Sequence, residues 1–345
     1  MNTIQRRSTV RTALLAAACA GGAALGARPV RAQDVDVSGV VYSQYSYQLA
    51  DEADGANAFD VTRAYLNFEA GLAQGVDTRI TADLYRADNG SLDYRLKYAY
   101  FAWTPDGSHL TYKLGQIHTP WVDWEEGLWG YRMQGPVALD RFHYLTSSDL
   151  GAGIDGGWNA QKVNMQLTVT NGEGYHAPEG DKHKDVAGRV SYRLVSSDDG
   201  GKRGGLRLTG LAHLGTATGG GTRRRLVGML SYRSSTLTLA GEAGRVTDGG
   251  AEGGPNVDGN VLSAFGVVAL ADSKASLVGR VDLVDPNADA PDDRQTHTIA
   301  GISYRLTPNV LLLADLDHTS YQGGVPTGPA AARRSILLFQ SQFTF

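Results

Sequence analysis

Apolar and polar side chains alternate residue by residue through most of this 345-residue chain. Val76, Thr78, Ile80, Ala82 and Leu84 take turns with Asp77, Arg79, Thr81, Asp83 and Tyr85. Val163, Met165, Leu167 and Val169 take turns with Asn164, Gln166, Thr168 and Thr170. A period of two places successive side chains on opposite faces of a strand, so each segment has one apolar and one polar face. No stretch of useful length carries the helical period. The pattern predicts sixteen strands, from 35–50 and 60–71 through to 309–318 and 333–345. The segments 148–156, 223–233 and 259–270 alternate weakly, so fourteen or eighteen strands also fit.

Link length then restricts the architecture. Links after even-numbered strands are mostly short, such as Leu72–Gly75 and Thr104–Ser108. Links after odd-numbered strands are mostly long, as at 118–147, 171–183, 246–258 and 319–332. Two links break the rule: 87–91 is short for its class and 196–203 is long. A β-sandwich gives no reason for link length to follow strand parity. A closed transmembrane antiparallel β-barrel does, with short periplasmic turns and long extracellular loops. Closure also removes the edges that so many apolar faces would leave sticky. Mean hydropathy is only −0.25, as expected when an apolar outer wall averages with a polar interior.

Both termini fit export to a bacterial outer membrane. Arg6, Arg7 and Arg11 precede an apolar run from Ala13 to Ala27, and Val30-Arg31-Ala32 offers small residues at a cleavage site. Residues 1–32 are therefore read as a signal peptide and 33–345 as the barrel. Cleavage removes five arginines and no acid, moving the formal charge from −4 to −9. It also removes Cys19, the single cysteine. With charge so nearly balanced and no other thiol, a disulfide scaffold, a zinc ribbon and a basic nucleic-acid binder are excluded. At the other end, Leu337, Phe339, Phe343 and the final Phe345 share one face. That resembles the C-terminal strand read by the barrel-assembly machinery.

If the apolar faces meet lipid and lipopolysaccharide, the other faces line a lumen. Its basic candidates include Arg63, Arg79, Arg95, Lys97, Lys113, Arg189, Arg193 and Arg280, set against acids such as Glu69, Asp83, Glu242 and Asp315. A mixed, slightly basic lumen at this strand count implies a water-filled channel. Tyr94, Tyr98, Tyr100, Tyr192 and Tyr304 fall on the outer face, where an aromatic girdle would sit. The link 118–147 carries Trp121, Trp124 and Trp129 with Asp123, Glu125, Glu126 and Arg132. A link so long and aromatic is expected to fold inward and constrict the lumen with its charges.

Phe59-Asp60-Val61-Thr62-Arg63-Ala64-Tyr65-Leu66-Asn67-Phe68-Glu69 resembles the opening of the phosphate-selective porin O/P family. Leu96–Phe101 and Lys113-Leu114-Gly115-Gln116-Ile117-His118-Thr119-Pro120 resemble its next strands, with a Gly-Gln-x-x-x-Pro segment leading into the long third loop. The likeness runs over 59–132 and returns at Phe345. It implies a sixteen-stranded homotrimeric channel for passive diffusion of small hydrophilic solutes, often anions. The mixed lumen predicts a general or weakly anion-preferring porin rather than phosphate specificity.

Catalytic and metal patterns do not emerge. His176 and His183 lie among acids without the spacing of a known metal site. His143 and Ser147 lack a third residue to orient a base. Neither a cofactor nor an enzymatic activity is expected. The competing reading is an outer-membrane barrel with a filled lumen, acting as an enzyme or adhesin.

Overall fold

A computed structural model describes residues 34–87, 89–217, 219–250 and 254–345. The expected signal peptide lies outside the described residues. Sixteen strands occur among them: β1 (Val35–Gln48), β2 (Asn57–Ala73), β3 (Val76–Arg86), β4 (Leu92–Trp103), β5 (Leu110–His118), β6 (Ser148–Trp158), β7 (Val163–Thr170), β8 (Asp185–Val195), β9 (Gly205–Ala217), β10 (Gly221–Arg233), β11 (Leu237–Gly249), β12 (Asn256–Ala269), β13 (Ala275–Asp285), β14 (Gln295–Thr307), β15 (Val310–Tyr321) and β16 (Ser335–Thr344). Each pairs antiparallel with its neighbours in sequence, and β1 pairs with β16 to close a barrel. The closing register sets Val40 opposite Thr344, Tyr45 opposite Phe339 and Gln48 opposite Ile336. Phe345 completes the seam, exchanging backbone hydrogen bonds with Gly39 at 3.0 and 3.1 Å.

The alternation sorts side chains as expected on most strands. Leu226 and Leu230 of β10 point outward, as do Leu262 of β12 and Leu312 and Leu316 of β15. Trp103, Tyr112, Tyr192, Tyr304 and Phe343 also point outward, near the end of the barrel that carries the short links.

β4 departs from the expectation. Its pairing with β3 slips, with Thr81 opposite Tyr98 but Ala82 opposite Leu96, so Lys97 is an extra residue in a bulge. A bulge shifts the in–out phase by one position. Lys97 and Tyr98 are consequently both buried inside, Tyr100 follows them inward, and Phe101 and Trp103 turn out. Tyr98 and Tyr100 therefore belong to the lumen rather than to an outer aromatic belt.

The inner face of β9–β15 also differs from the expected polar wall. Leu211, Val227, Met229, Val261, Phe265, Val278, Ile299, Leu311 and Leu313 point inward and are buried. They pack against the β5–β6 link, which turns into the barrel. This link contains α1 (Val122–Trp129) and α2 (Ala138–Arg141). Gly130 ends α1 in the left-handed region (φ 74°), its N–H bonding to the Glu126 carbonyl. Trp121, Val122, Trp129, Val137, Ala138 and Leu139 are at most 1% exposed. Each large apolar side chain so buried contributes about 1.5–3 kcal/mol. The faint alternation of β10 and β12 has its cause here, since both of their faces must be apolar.

Candidate functional site: the lumen beside the inward loop

The inward loop divides the lumen unequally. One flank is seated on the wall by buried polar contacts. Arg280 meets Glu125 at 2.9 Å and Asp282 at 2.8 Å, with all three side chains fully buried. The Trp121 indole donates to Glu242 (3.1 Å), and Gln134 donates to Asp317 (2.7 Å). Tyr131 and Ser303 share a hydrogen bond of 2.7 Å, and Gln340 donates to the Met133 carbonyl (2.9 Å). Burial pushes the Glu125 carboxyl above its ordinary range, although Arg280 beside it pulls the other way.

The other flank faces a cavity of about 590 Å³. Strands β1–β8 form the far wall, and the loop forms the near wall. The far wall alternates cations with tyrosines. The Lys97 ammonium donates to the Tyr65 hydroxyl (3.2 Å) and lies 4.6 Å from that ring's centre. Arg79 donates to Asn67 (3.0 Å) and lies 5.0 Å from the Tyr98 ring. Lys113 pairs with Asp155 at 2.6 Å and lies 5.3 Å from the Tyr100 ring. His118 stacks on Tyr98 with centroids 3.8 Å apart. Aromatic faces hold cations in place without neutralising them. Of these three cations, Arg79 also pairs with Glu69 at 3.3 Å, and Lys97 makes no ion pair among the described residues. The near wall carries Glu126, paired with Arg132 at 2.6 Å, and Asp123. Arg189 closes one side. It donates to the Pro120 carbonyl (2.8 Å) and to Asn164 (2.7 Å), and sits 4.0 Å from the Trp124 ring.

The expected charges thus separate into groups. Arg79, Lys97, Lys113, Asp123, Glu126, Arg132 and Arg189 line this cavity. Arg63 and Arg95 lie closer to the long-loop end and share Asp83, at 3.4 and 3.0 Å. There Arg95 is met by the β7–β8 loop, donating to the Tyr175 hydroxyl (2.9 Å) and to His176 Nδ1 (2.6 Å). Arg193 hydrogen-bonds the Ala160 carbonyl in a short link instead of reaching the cavity. Glu125 and Arg280, expected in contact with water, are sealed between loop and wall. Apolar residues on the inner face of β9–β15 draw the loop onto that side, and the seated loop covers the pair.

Other lining residues were absent from the sequence expectation. Tyr42, Tyr65, Tyr98 and Tyr100 line the cavity, as do Lys202 and Arg203 from the β8–β9 link. That link is one of the two exceptions to the length rule, which was the available signal. Among the described residues no cluster of His, Cys, Asp or Glu could hold a metal ion.

No known protein family matches the sequence, and no curated protein does either. Solved structures do match. A trimer form of OmpT, an outer membrane protein of Vibrio cholerae, superposes with a TM-score of 0.63 at 11% identity, over 90% of this chain and 99% of that one. OmpF of Salmonella typhi in complex with daunomycin gives 0.63 at 12% identity, over 90% and 97%. The outer membrane channel DcaP of Acinetobacter baumannii gives 0.59 at 12% identity, over 90% and 97%. Identity this low speaks to architecture alone: the chain has the closed sixteen-stranded antiparallel barrel of outer-membrane porin structures.

Proposed function

We propose that this protein is a porin of the bacterial outer membrane, a passive channel for small hydrophilic solutes with a preference for anions. One observation carries the reading. Seven cationic side chains line the main lumen cavity (Arg79, Lys97, Lys113, Arg132, Arg189, Lys202 and Arg203) against three carboxylates, Asp123, Glu126 and Asp155. Each carboxylate already has a cation, in Arg203, Arg132 and Lys113. An aqueous path between low-dielectric walls focuses the field of the surplus charge, so anions concentrate there and cations are repelled.

In this reading the inward loop 118–147 is the constriction, residues 1–32 are removed on export, and the short links face the periplasm. The apolar outer wall meets lipid, and Phe345 is the assembly signal. Three copies associate, as in the trimer form of OmpT. The surplus charge supports anions in general. The likeness to phosphate-selective porins over 59–132 makes phosphate the first solute to test.

Planar bilayers decide the matter. The purified protein should insert as discrete conducting steps, and a salt gradient should give a reversal potential of the sign set by anion permeation. A cation-selective potential ends the anion assignment. An absence of conductance in correctly folded protein ends the channel assignment. Fractionation with outer membranes, a mature N-terminus at Gln33 and a trimer band before heating test the remaining parts.

A further inference from the structure

Resting on the channel reading, we propose that the β8–β9 link, 196–204, is a second selectivity element acting from the short-link end. Arg203 fixes it beneath α1, and Lys202 is the charge that it delivers into the lumen.

The link is built to hold its shape. The Ser197 hydroxyl accepts from the Asp199 N–H (3.2 Å) and the Gly205 N–H (3.0 Å). Asp199 accepts from the Gly201 N–H (2.8 Å) and pairs with Arg233 at 2.8 Å. A Cβ on Gly204 would sit 1.8 Å from the Asp199 carbonyl oxygen, so the chain passes too close for any side chain there. From this base Arg203 rises into the barrel. It donates to the carbonyls of Trp124 (2.8 Å) and Asp123 (2.6 Å), meets the Asp123 carboxylate at 3.3 Å, and lies 5.2 Å from the Trp124 ring. Gly127 leaves the guanidinium its space: a Cβ there would lie 2.2 Å from Arg203 Cζ. Arg233, itself held by the link, donates to the Gly127 carbonyl (2.6 Å). The loop is therefore gripped from below as well as from the side.

Lys202 is carried next to this anchor and lines the same cavity. It makes no ion pair among the described residues. The carboxylates that face it are Asp123 and Asp155, with Arg203 and Arg189 as the neighbouring cations. Arg203 already pairs with Asp123, and Lys113 with Asp155. Lys202 thus has no carboxylate of its own in the cavity, and its charge adds to the field that a permeating ion meets there.

The test is a salt-gradient reversal potential on the full barrel carrying Lys202→Gln, Lys202→Glu or Lys202→Arg. Lys202→Gln should lower the anion-to-cation permeability ratio about twofold to threefold, Lys202→Glu further, and Lys202→Arg hardly at all. Lys202→Cys gives the mature chain a single thiol, since Cys19 precedes the expected cleavage site. An anionic thiol reagent applied from the short-link side should shift the potential of the assembled channel. A conducting Lys202→Glu channel with the wild-type potential overturns the inference and leaves the channel reading standing. A wild-type barrel that conducts nothing overturns both.

Discussion

Arg280 of β13 and Glu125 of α1 meet at 2.9 Å with neither side chain exposed, and the same guanidinium also holds Asp282. The pair joins a wall strand to a loop far from it in sequence. Desolvating charges is costly, and the pair is held between the Trp129 and Phe265 rings and the polar groups of Asp282 and Ser263. Removing Arg280 leaves Glu125 buried without its cation.

Arg280→Ala should therefore destabilise the seated loop by about 3–5 kcal/mol. It strands Glu125, while Asp282 keeps Ser263 at 2.6 Å and His297 at 3.4 Å. Glu125→Gln should cost clearly less, because Arg280 keeps Asp282 at 2.8 Å. The midpoint of thermal unfolding in detergent, with open-channel noise as a reporter of the loop, separates the two. Equal losses from both variants would count against the asymmetry.

Lys97 gives a selectivity prediction from the opposite wall. Its ammonium contacts the Tyr65 hydroxyl and ring and makes no ion pair among the described residues. Lys97→Met keeps most of the shape and removes the charge, and should lower anion preference about twofold to threefold. Arg95→Met should do less, since Asp83, Tyr175 and His176 already occupy that guanidinium. A larger shift from Arg95→Met would mean that the entrance, not the cavity, sets selectivity.

The contact between Arg95 and His176 is pH-dependent. His176 accepts through Nδ1 and must be neutral to do so. Partial burial and then Arg95 push its pKa down to about 4. A released imidazole titrates near 6.5, so the opened loop binds more protons than the docked one between these values. The contact is fully present above about pH 6.5 and weakens as pH falls toward 4. Hydrogen exchange in the 171–184 loop should rise across that window. His176→Phe should remove the dependence, and an unchanged profile in that variant would reject it.

Gly115 is fixed by backbone geometry. Its φ is +125°, and a Cβ would lie 2.3 Å from the Ala99 carbonyl oxygen of the adjacent strand. Gly115→Ala should cost about 1–3 kcal/mol in strain alone, with the clash added. The amount of heat-modifiable barrel recovered from membranes should drop sharply. Gly228→Ala, where a Cβ meets nothing within 4 Å, serves as the tolerant control.

The strands were legible because period-two alternation is local, and each strand carries its own pattern. What depended on a partner was not. One extra residue, Lys97, turned Tyr98 and Tyr100 inward, and no propensity marks that position as a bulge. Val227, Met229 and Phe265 face inward under the loop that covers them, so β10 and β12 alternate weakly because apolar residues stand on both of their faces. The same cover dried Arg280 and Glu125, whose charge alone suggested water. Lys202 and Arg203 sit in a link whose anomalous length was visible, but length does not state direction.

The seam between β1 and β16 has a consequence for how this chain reaches its folded state. Tyr45 pairs with Phe339, and Gly39 with Phe345. Every hairpin along the way can form locally, yet β1 loses one free edge only when β16 reaches it. Until then the chain has two open borders and an outward apolar surface with no counterpart in water. A porin of the kind proposed above therefore needs a holding partner that shields it in transit and a membrane in which those borders can meet.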